Sequence, residues 1–527
     1  MTGQAVNISD KDGWRPGVSP WIIAIAVMLA TFMEVLDTSV ANVSLPHIAG
    51  SFSATTEEAV WVLTSYLISN AIILPTTAWF STFFGRKRLL ILCIALFKAA
   101  SFMCGTSTSL SMLIFARILQ GIGGGALQPL SQAILLESFP PEKRGIATAV
   151  FGMGVVVAPI IGPTLGGWIT DNYSWHWVFL INIPVGILAI FLSQAFVEDP
   201  PYIKNAKPGR IDFAGFGFMA IWLATLQIIL DKGHRADWFA SEWVRWFAVI
   251  SLVSFICFVV RELTVKEPIV NLKILKNRNF AIGVFLITVV GAVLYGTLAM
   301  LPLFLQTLLG YTAEKSGLVI SPRGIGSFLT IIVVGKLVGK MDNRILIILG
   351  FILLGISNII LGNINLVIDM STIIWPNILM GVSLGLIFIP LTTMTLGTLK
   401  NEYIANGTGI FNLMRNIGGS IGISGVTTYL STYAQVHQNH MSAYLNPYNP
   451  VYQERFNSIV NYQSQYTDIV SATKQAQGII YGILLKQANL WGFIENFRLF
   501  GFISLLMIPL VFLFKKTNPF VSRKELH

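Results

Sequence analysis

Arg117-Ile118-Leu119-Gln120-Gly121-Ile122-Gly123-Gly124-Gly125-Ala126-Leu127-Gln128 sets a guanidinium inside an apolar run, residues 111–136. A second run, residues 21–45, holds Glu34 and Asp37. An ionisable side chain at the centre of a membrane helix costs roughly 2.5–3.5 kcal/mol on insertion scales, so it persists where it faces a bundle interior and finds a partner. At helical spacing Arg117, Gln120, Gly121, Gly124 and Gln128 form one polar, small-residue stripe. Gly121 and Gly125 form a GxxxG that admits a second backbone. Glu34 and Asp37, three residues apart, share a helix face. No residue of opposite charge is matched to Glu34 by the sequence.

The rest of the chain supplies the setting. Of 527 residues, 54% are hydrophobic and 11% charged, against about 25% charged in an ordinary soluble domain. Stretches near the ~20 residues needed to cross a bilayer lie at 20–45, 59–81, 88–106, 109–136, 146–170, 176–197, 211–230 and 243–260. Six more follow at 279–309, 315–338, 344–362, 371–397, 403–433 and 493–514. The expectation is an all-α integral membrane protein with about fourteen spans.

Counting suggests two six-helix bundles with an inserted pair: residues 1–198 as the first bundle, 199–265 as a basic linker plus the pair, 266–433 as five helices of the second bundle, 434–490 as a periplasmic loop, and 491–527 as the last helix and tail. Two such halves with a site between them at mid-membrane is the plan of repeat-built transporters. Within 434–490, Tyr444, Asn446, Pro447, Tyr448, Asn449 and Pro450 read as a turn, beside helical composition such as 453–472. This is either a solvated loop or a docking surface.

The net charge of +10 does not point to nucleic acid, because Lys and Arg gather in alternate loops as the positive-inside rule requires. One side carries Lys11, Arg15, Arg86, Lys87, Arg88, Lys143, Arg144, Lys207, Arg210, Lys336, Lys340, Arg344, Lys516, Arg523 and Lys524, so both termini are expected in the cytoplasm. No cleaved signal peptide is read, since the first span carries acids and no small-residue cleavage site. Cys93, Cys104 and Cys257 fall inside expected helices and imply no disulfide framework. Gly335-Lys336 and Gly339-Lys340 lack the Ser or Thr of a phosphate loop. There is no HExxH, no metal-ligand cluster, and no extramembrane stretch long enough for a catalytic domain. No enzyme and no cofactor is expected; the proton gradient is the drive.

A paired Asp37 and Arg117 can act as a switch, because an acid beside a guanidinium holds its charge and an acid that loses it in a dry site does not. One charge crossing the membrane potential is worth about 2.3 kcal/mol per 100 mV. The alternative is that the pair only locks helices together. Arg415, followed by Asn416, Gly418, Gly419 and Gly422, marks a second internal polar site. Arg323, beside Pro322, reads as a helix end. Gly162, Pro163, Gly166 and Gly167 form a cluster that bends or thins the fifth span, as hinge or as tight packing. Candidate cavity residues are Phe32, Met33, Tyr66, Gln128, Phe151, Tyr295, Met300, Phe411 and Met414, since apolar and aromatic groups suit greasy ligands.

These stretches resemble a known family. Leu36-Asp37-Thr38-Ser39-Val40-Ala41-Asn42-Val43-Ser44-Leu45-Pro46, Arg117 to Gly124, Gly162-Pro163-Thr164-Leu165-Gly166-Gly167 and Trp175-His176-Trp177-Val178-Phe179-Leu180-Ile181-Asn182-Ile183-Pro184-Val185-Gly186 are similar to motifs of the major facilitator superfamily. Within it they resemble the fourteen-span drug:proton antiporters of the EmrB/QacA kind. The resemblance implies the major facilitator fold and proton-coupled export of amphipathic toxic compounds from the bacterial inner membrane. Asp37, Arg117 and Glu34 would carry the coupling. One departure is Thr82, which stands where the family's loop between helices two and three carries an acid, and this puts a gating charge relay through that acid in question. The long outer segment resembles the EmrB branch and implies an EmrA-like periplasmic adaptor and a TolC-like outer-membrane channel. Two other readings stay open: an exporter of one metabolite, siderophore or fatty acid, and a membrane scaffold or sensor that moves nothing.

Overall fold

The computed structural model of the chain describes residues 16–140, 143–204, 212–338 and 340–515. Lys11, Arg15, Lys207, Arg210, Lys516, Arg523 and Lys524, part of the charge pattern above, lie outside the described residues. Every named element within them is helical. The principal helices are α1 (Pro20–Val43), α2 (Thr56–Ile73), α3 (Arg86–Gly105), α4 (Leu110–Gly125), α5 (Leu127–Ser138), α6 (Arg144–Asn172), α7 (Asn182–Phe196), α8 (Phe213–Lys232), α9 (Glu242–Thr264), α10 (Arg278–Thr307), α11 (Pro322–Leu337), α12 (Asn343–Leu361), α13 (Met370–Leu396), α14 (Asn401–Ser442), α15 (Pro450–Gln463) and α16 (Ile469–Leu506).

Local chemistry fixes many of the ends. Pro20 and Pro322 sit in first turns, where a missing N–H costs nothing. Thr55 and Glu58 close a capping box on α2, with Thr55 N donating to Glu58 Oε2 at 2.8 Å and Glu58 N to Thr55 Oγ1 at 3.2 Å. Gly85, at φ +82°, breaks the chain between the short helix Thr77–Phe84 and α3, a backbone state that a Cβ disfavours.

Among the described residues twelve helices are long and apolar enough to cross a membrane, and the bent α6 makes a thirteenth. The expected fourteen is not reached by this measure. The span placed at 403–433 lies within α14, a 42-residue helix whose Asn, Gly, Ser and Thr residues dilute its apolar character. The segment 434–490 is helical over most of its length. α14 runs on to Ser442, α15 folds back, and α16 continues unbroken from Ile469 into the last span. The stretch 453–472 is not one helix, since Asp468 restarts the chain by accepting from Val470 N at 3.1 Å and Ser471 N at 3.0 Å.

α1 packs on α5, α6 and α7, while α4 packs on α2 and α3. In the second half α10 lies along α14, α13 joins α11 to α12, and α16 closes against α12 and α14. The pair α8 and α9 is more than a spacer, since α8 touches both α2 and α14. Gln227 and Ser420 exchange hydrogen bonds at 2.9 and 3.0 Å, and Thr64 donates to Asp231. The halves meet where α5 faces α14 and where α6 faces α11 and α13.

Candidate functional site

Small residues make the close approaches on which the site depends. A Cβ on Gly121 would lie 2.5 Å from Tyr66 O, and one on Gly125 2.7 Å from Asn70 O, so α4 rides against the backbone of α2. A Cβ on Gly162 would meet Ser39, and one on Gly166 would lie 3.1 Å from Val40 Cα, which brings α6 equally near α1. Gly167 differs, with nothing nearer than Val43 Cγ1 at 3.9 Å. Pro159 and Pro163 both sit inside α6, which bends by 40° between its parts Arg144–Pro159 and Ile161–Asn172. Pro163 has no N–H to give the Pro159 carbonyl one turn back. Ser39 Oγ fills that vacancy from α1 at 3.1 Å.

Between these helices lies the pair that the sequence singled out. Arg117 Nη1 donates to Asp37 Oδ2 at 2.7 Å, and both side chains are fully buried. Asp37 Oδ1 also accepts from Gln120 Nε2 at 2.9 Å and Asn182 Nδ2 at 2.5 Å. Arg117 is held further by Val62 O at 3.0 Å and Gln120 Oε1 at 2.6 Å, and lies 4.3 Å from the Tyr66 ring centroid. Gln120 completes the shell by donating to Ser101 Oγ at 2.8 Å. This carboxylate is charge-balanced and orientated by two helices besides its own, α4 and α7.

Glu34, one turn away, is not without partners, but all are neutral. It accepts from Tyr66 OH at 2.9 Å, Asn70 Nδ2 at 3.2 Å and Gln128 Nε2 at 2.6 Å. Gln128 then accepts from Arg415 Nη2 across the interface between the halves. Beside it Asn412 Nδ2 donates to Gln132 Oε1 at 2.8 Å, and Thr408 Oγ1 to Pro129 O at 3.1 Å. Among the described residues Glu34 makes no ion pair within 4.0 Å; Arg415 acts on it across Gln128, which bonds both.

A narrow cavity of about 20 Å3 opens beside Arg415, lined also by Tyr295, Arg323, Leu294 and Phe388. That volume holds a water rather than a drug. Of the nine residues expected to line a cavity, only Tyr295 is on its wall. Met33, Tyr66, Phe151, Met300 and Phe411 are packed into the helix cores instead; Tyr66 serves Glu34, and Phe151 stacks on Phe388 at 6.5 Å. Phe32 and Met414 pack partly buried against apolar clusters, and Gln128 belongs to the polar link. The reason is generic: an aromatic on a helix has more core than cavity to face.

Arg323 is at a helix end as expected, in the first turn of α11, and it is entirely buried there. Asn70, Gln132, Asn182 and Asn412 were not assigned roles from sequence, although an amide within an apolar run is the available signal. Thr82 Oγ1 turns back to Ala78 O at 3.1 Å. Acids from elsewhere serve this corner: Glu137 pairs with Arg86, and Asp199 Oδ1 accepts from Lys87 N at 2.9 Å.

The chain matches the Major Facilitator Superfamily over residues 27–423. It is 36% identical over 495 residues to the multidrug export protein EmrB of Escherichia coli K12, covering 94% of this chain and 95% of that protein. It is 36% identical over 493 residues to the fatty acid resistance protein FarB of Neisseria gonorrhoeae, covering 94% and 96%. The structure of the human organic anion transporter MFSD10 superposes with a TM-score of 0.60 at 12% identity, over 94% of this chain and 100% of that one, a likeness of fold alone. With the match running through α1, α4 and α6, whose packing encloses the buried acids, and reaching well into α14, this multi-pass membrane protein belongs to the major facilitator superfamily of transporters.

Proposed function

We infer that the chain is a proton-coupled antiporter that exports amphipathic toxic compounds across the bacterial inner membrane, with both termini in the cytoplasm. The observation that carries this reading is the contrast between two buried acids on one face of α1. Asp37 is neutralised by Arg117, whereas Glu34 is held by neutral donors only. A buried carboxylate without a directly bonded cation is costly when charged, so Glu34 is the group whose proton occupancy is free to follow conformation, with Asp37 on one side and Arg415 beyond Gln128 on the other setting the field around it. Gln128 passes that state to Arg415 in the other half. The names of the relatives, multidrug export and fatty acid resistance, support export of harmful compounds.

The test is transport in proteoliposomes under an imposed acid-inside gradient, with ethidium, Nile red and 11-(dansylamino)undecanoic acid as cationic, neutral and anionic probes. At least one should accumulate, and collapse of the gradient should stop it. Accumulation that ignores the gradient for every probe sinks the coupling assignment.

The fourteen-span count, the 6+2+6 division and a tripartite assembly belong to the same proposal. An EmrA-like adaptor and a TolC-like channel would dock at the outer end, where α14, α15 and α16 project beyond the spans with exposed Tyr444, Tyr448, Tyr462 and Tyr466. Copurification with a single-span periplasmic coiled-coil protein, lost on deleting 443–468, is the result this predicts.

A further inference from the structure

Two guanidinium groups line one apolar cavity whose wall carries no acid, and the charge of Glu34 reaches Arg415 only from beyond Gln128. Arg323 is fully buried, and none of its three guanidinium nitrogens has a hydrogen-bond partner among the described residues. Arg415, 2% exposed, gives Nη2 to Gln128, while its Nε and Nη1 have none. Both line the cavity with Val155, Leu294, Tyr295 and Phe388, and no acid is on its wall. Their backbones are clamped in place: a Cβ on Gly381 would lie 2.0 Å from Arg323 O, and one on Gly291 2.3 Å from Arg415 O. A desolvated cation without a partner costs several kcal/mol; Arg323 without any partner, facing the same space as an Arg415 that leaves two nitrogens unbonded, is a configuration that an anion would relieve.

The cavity also lies where a carrier would hold its cargo. It is lined by α6 of the first half and by α10, α11, α13 and α14 of the second. The halves touch beyond it in both directions along α6, where a Cβ on Gly145 would lie 2.8 Å from Val338 Cγ1 and one on Gly317 2.9 Å from Thr164 Oγ1. The space is therefore contracted in this conformation, and a ligand larger than water enters when one of those contacts parts.

The geometry points to an organic-anion site in which Arg323 and Arg415 together take the carboxylate or sulfonate head of an amphipathic ligand while the apolar walls take its tail. This rests on reading the chain as a carrier, and it narrows the cargo to compounds with an acidic head. Planar guanidinium forks suit a carboxylate better than any other side chain does. Because Arg415 and Glu34 share Gln128, the head would sit one side chain away from the acid assigned to the proton.

Fluorescence titration of the full chain in lipid nanodiscs, in gluconate buffer, tests the site with 11-(dansylamino)undecanoic acid and its methyl ester. The acid should bind at least about tenfold more tightly than the ester. Arg323→Gln and Arg415→Gln should each weaken the acid by about tenfold or more and leave the ester unchanged, with Arg323→Lys recovering part of the loss. Equal binding of acid and ester by the unsubstituted chain, a comparison that needs no variant to fold, overturns the proposal. So does complete displacement of the acid when chloride replaces gluconate at constant ionic strength, which would assign the arginines to a small inorganic ion. Head-group-selective binding without gradient-driven transport of any probe would leave the site standing and remove the antiport reading. Gradient-driven transport without head-group selectivity would do the reverse.

Discussion

At the scale of single residues, the two acids of α1 make opposite demands on their surroundings. Removing one partner of a buried ion pair costs about 3–5 kcal/mol, because the other charge stays behind unpaired. Asp37→Asn should therefore lower the melting temperature and stop gradient-driven transport, and Arg117→Gln should do the same. The double variant should regain much of the lost stability without regaining transport. If it regains both, the pair is only a helix lock. Glu34→Gln keeps a side chain of the same shape, and its amide oxygen still accepts from Tyr66 and Asn70, but its amide nitrogen faces the Gln128 Nε2 donor, so the protein should lose about 1–3 kcal/mol and still fold. Its substrate exchange at equal pH on both sides should persist while gradient-driven accumulation disappears, and normal accumulation by this variant would move the proton to another group.

At the scale of elements, glycines that share a motif do not carry the same load. Gly121→Ala pushes a methyl into Ser69 and the Tyr66 carbonyl; overpacking of that kind costs about 1–3 kcal/mol. Gly167→Ala meets nothing closer than 3.9 Å and should stay within about 0.5 kcal/mol. Thermal unfolding of the two variants measures the difference, and equal losses would contradict the packing described for α4 and α6. The outer hairpin answers to a different force. Asp468 accepts two backbone N–H bonds at the start of α16, which hold its carboxyl below the usual value. The sign follows: the cap is complete above the unfolded value of about 3.9 and is lost as pH falls through the lowered one. Amide protection at Val470 and Ser471, corrected for intrinsic exchange rates, should be flat from neutral pH to about 4 and drop below it.

At the scale of the whole molecule, a carrier must part its halves at one end while holding them at the other, and the structure shows contact at both ends of α6. Thr164 Cβ lies 3.9 Å from the place a Cβ on Gly317 would occupy, within the range of about 3.5–4.5 Å that a disulfide accepts. The double variant Thr164→Cys with Gly317→Cys, made in a Cys257→Ser background, should therefore cross-link on oxidation. Cross-linking should abolish transport and reduction should restore it. Continued transport by a fully oxidised sample would show that this end of α6 does not move in the cycle.

The spans, the embedded charges and the family were legible along the chain because each depends on local composition: enough apolar residues to cross hydrocarbon, a charge where hydrocarbon should be, and small residues at fixed spacing. The polar α14 was placed as a helix, but its continuation past the membrane was not, because amphiphilic helix and polar loop have similar composition. Tertiary structure alone decided that Glu34 rests on neutral donors, that Gln128 links it to Arg415 across 287 positions, and that Arg323 is buried without a counter-charge. A side chain's partner depends on which helix faces pack together, and that choice is made by the close fit of Gly121, Gly291 and Gly381 against backbones far away in sequence.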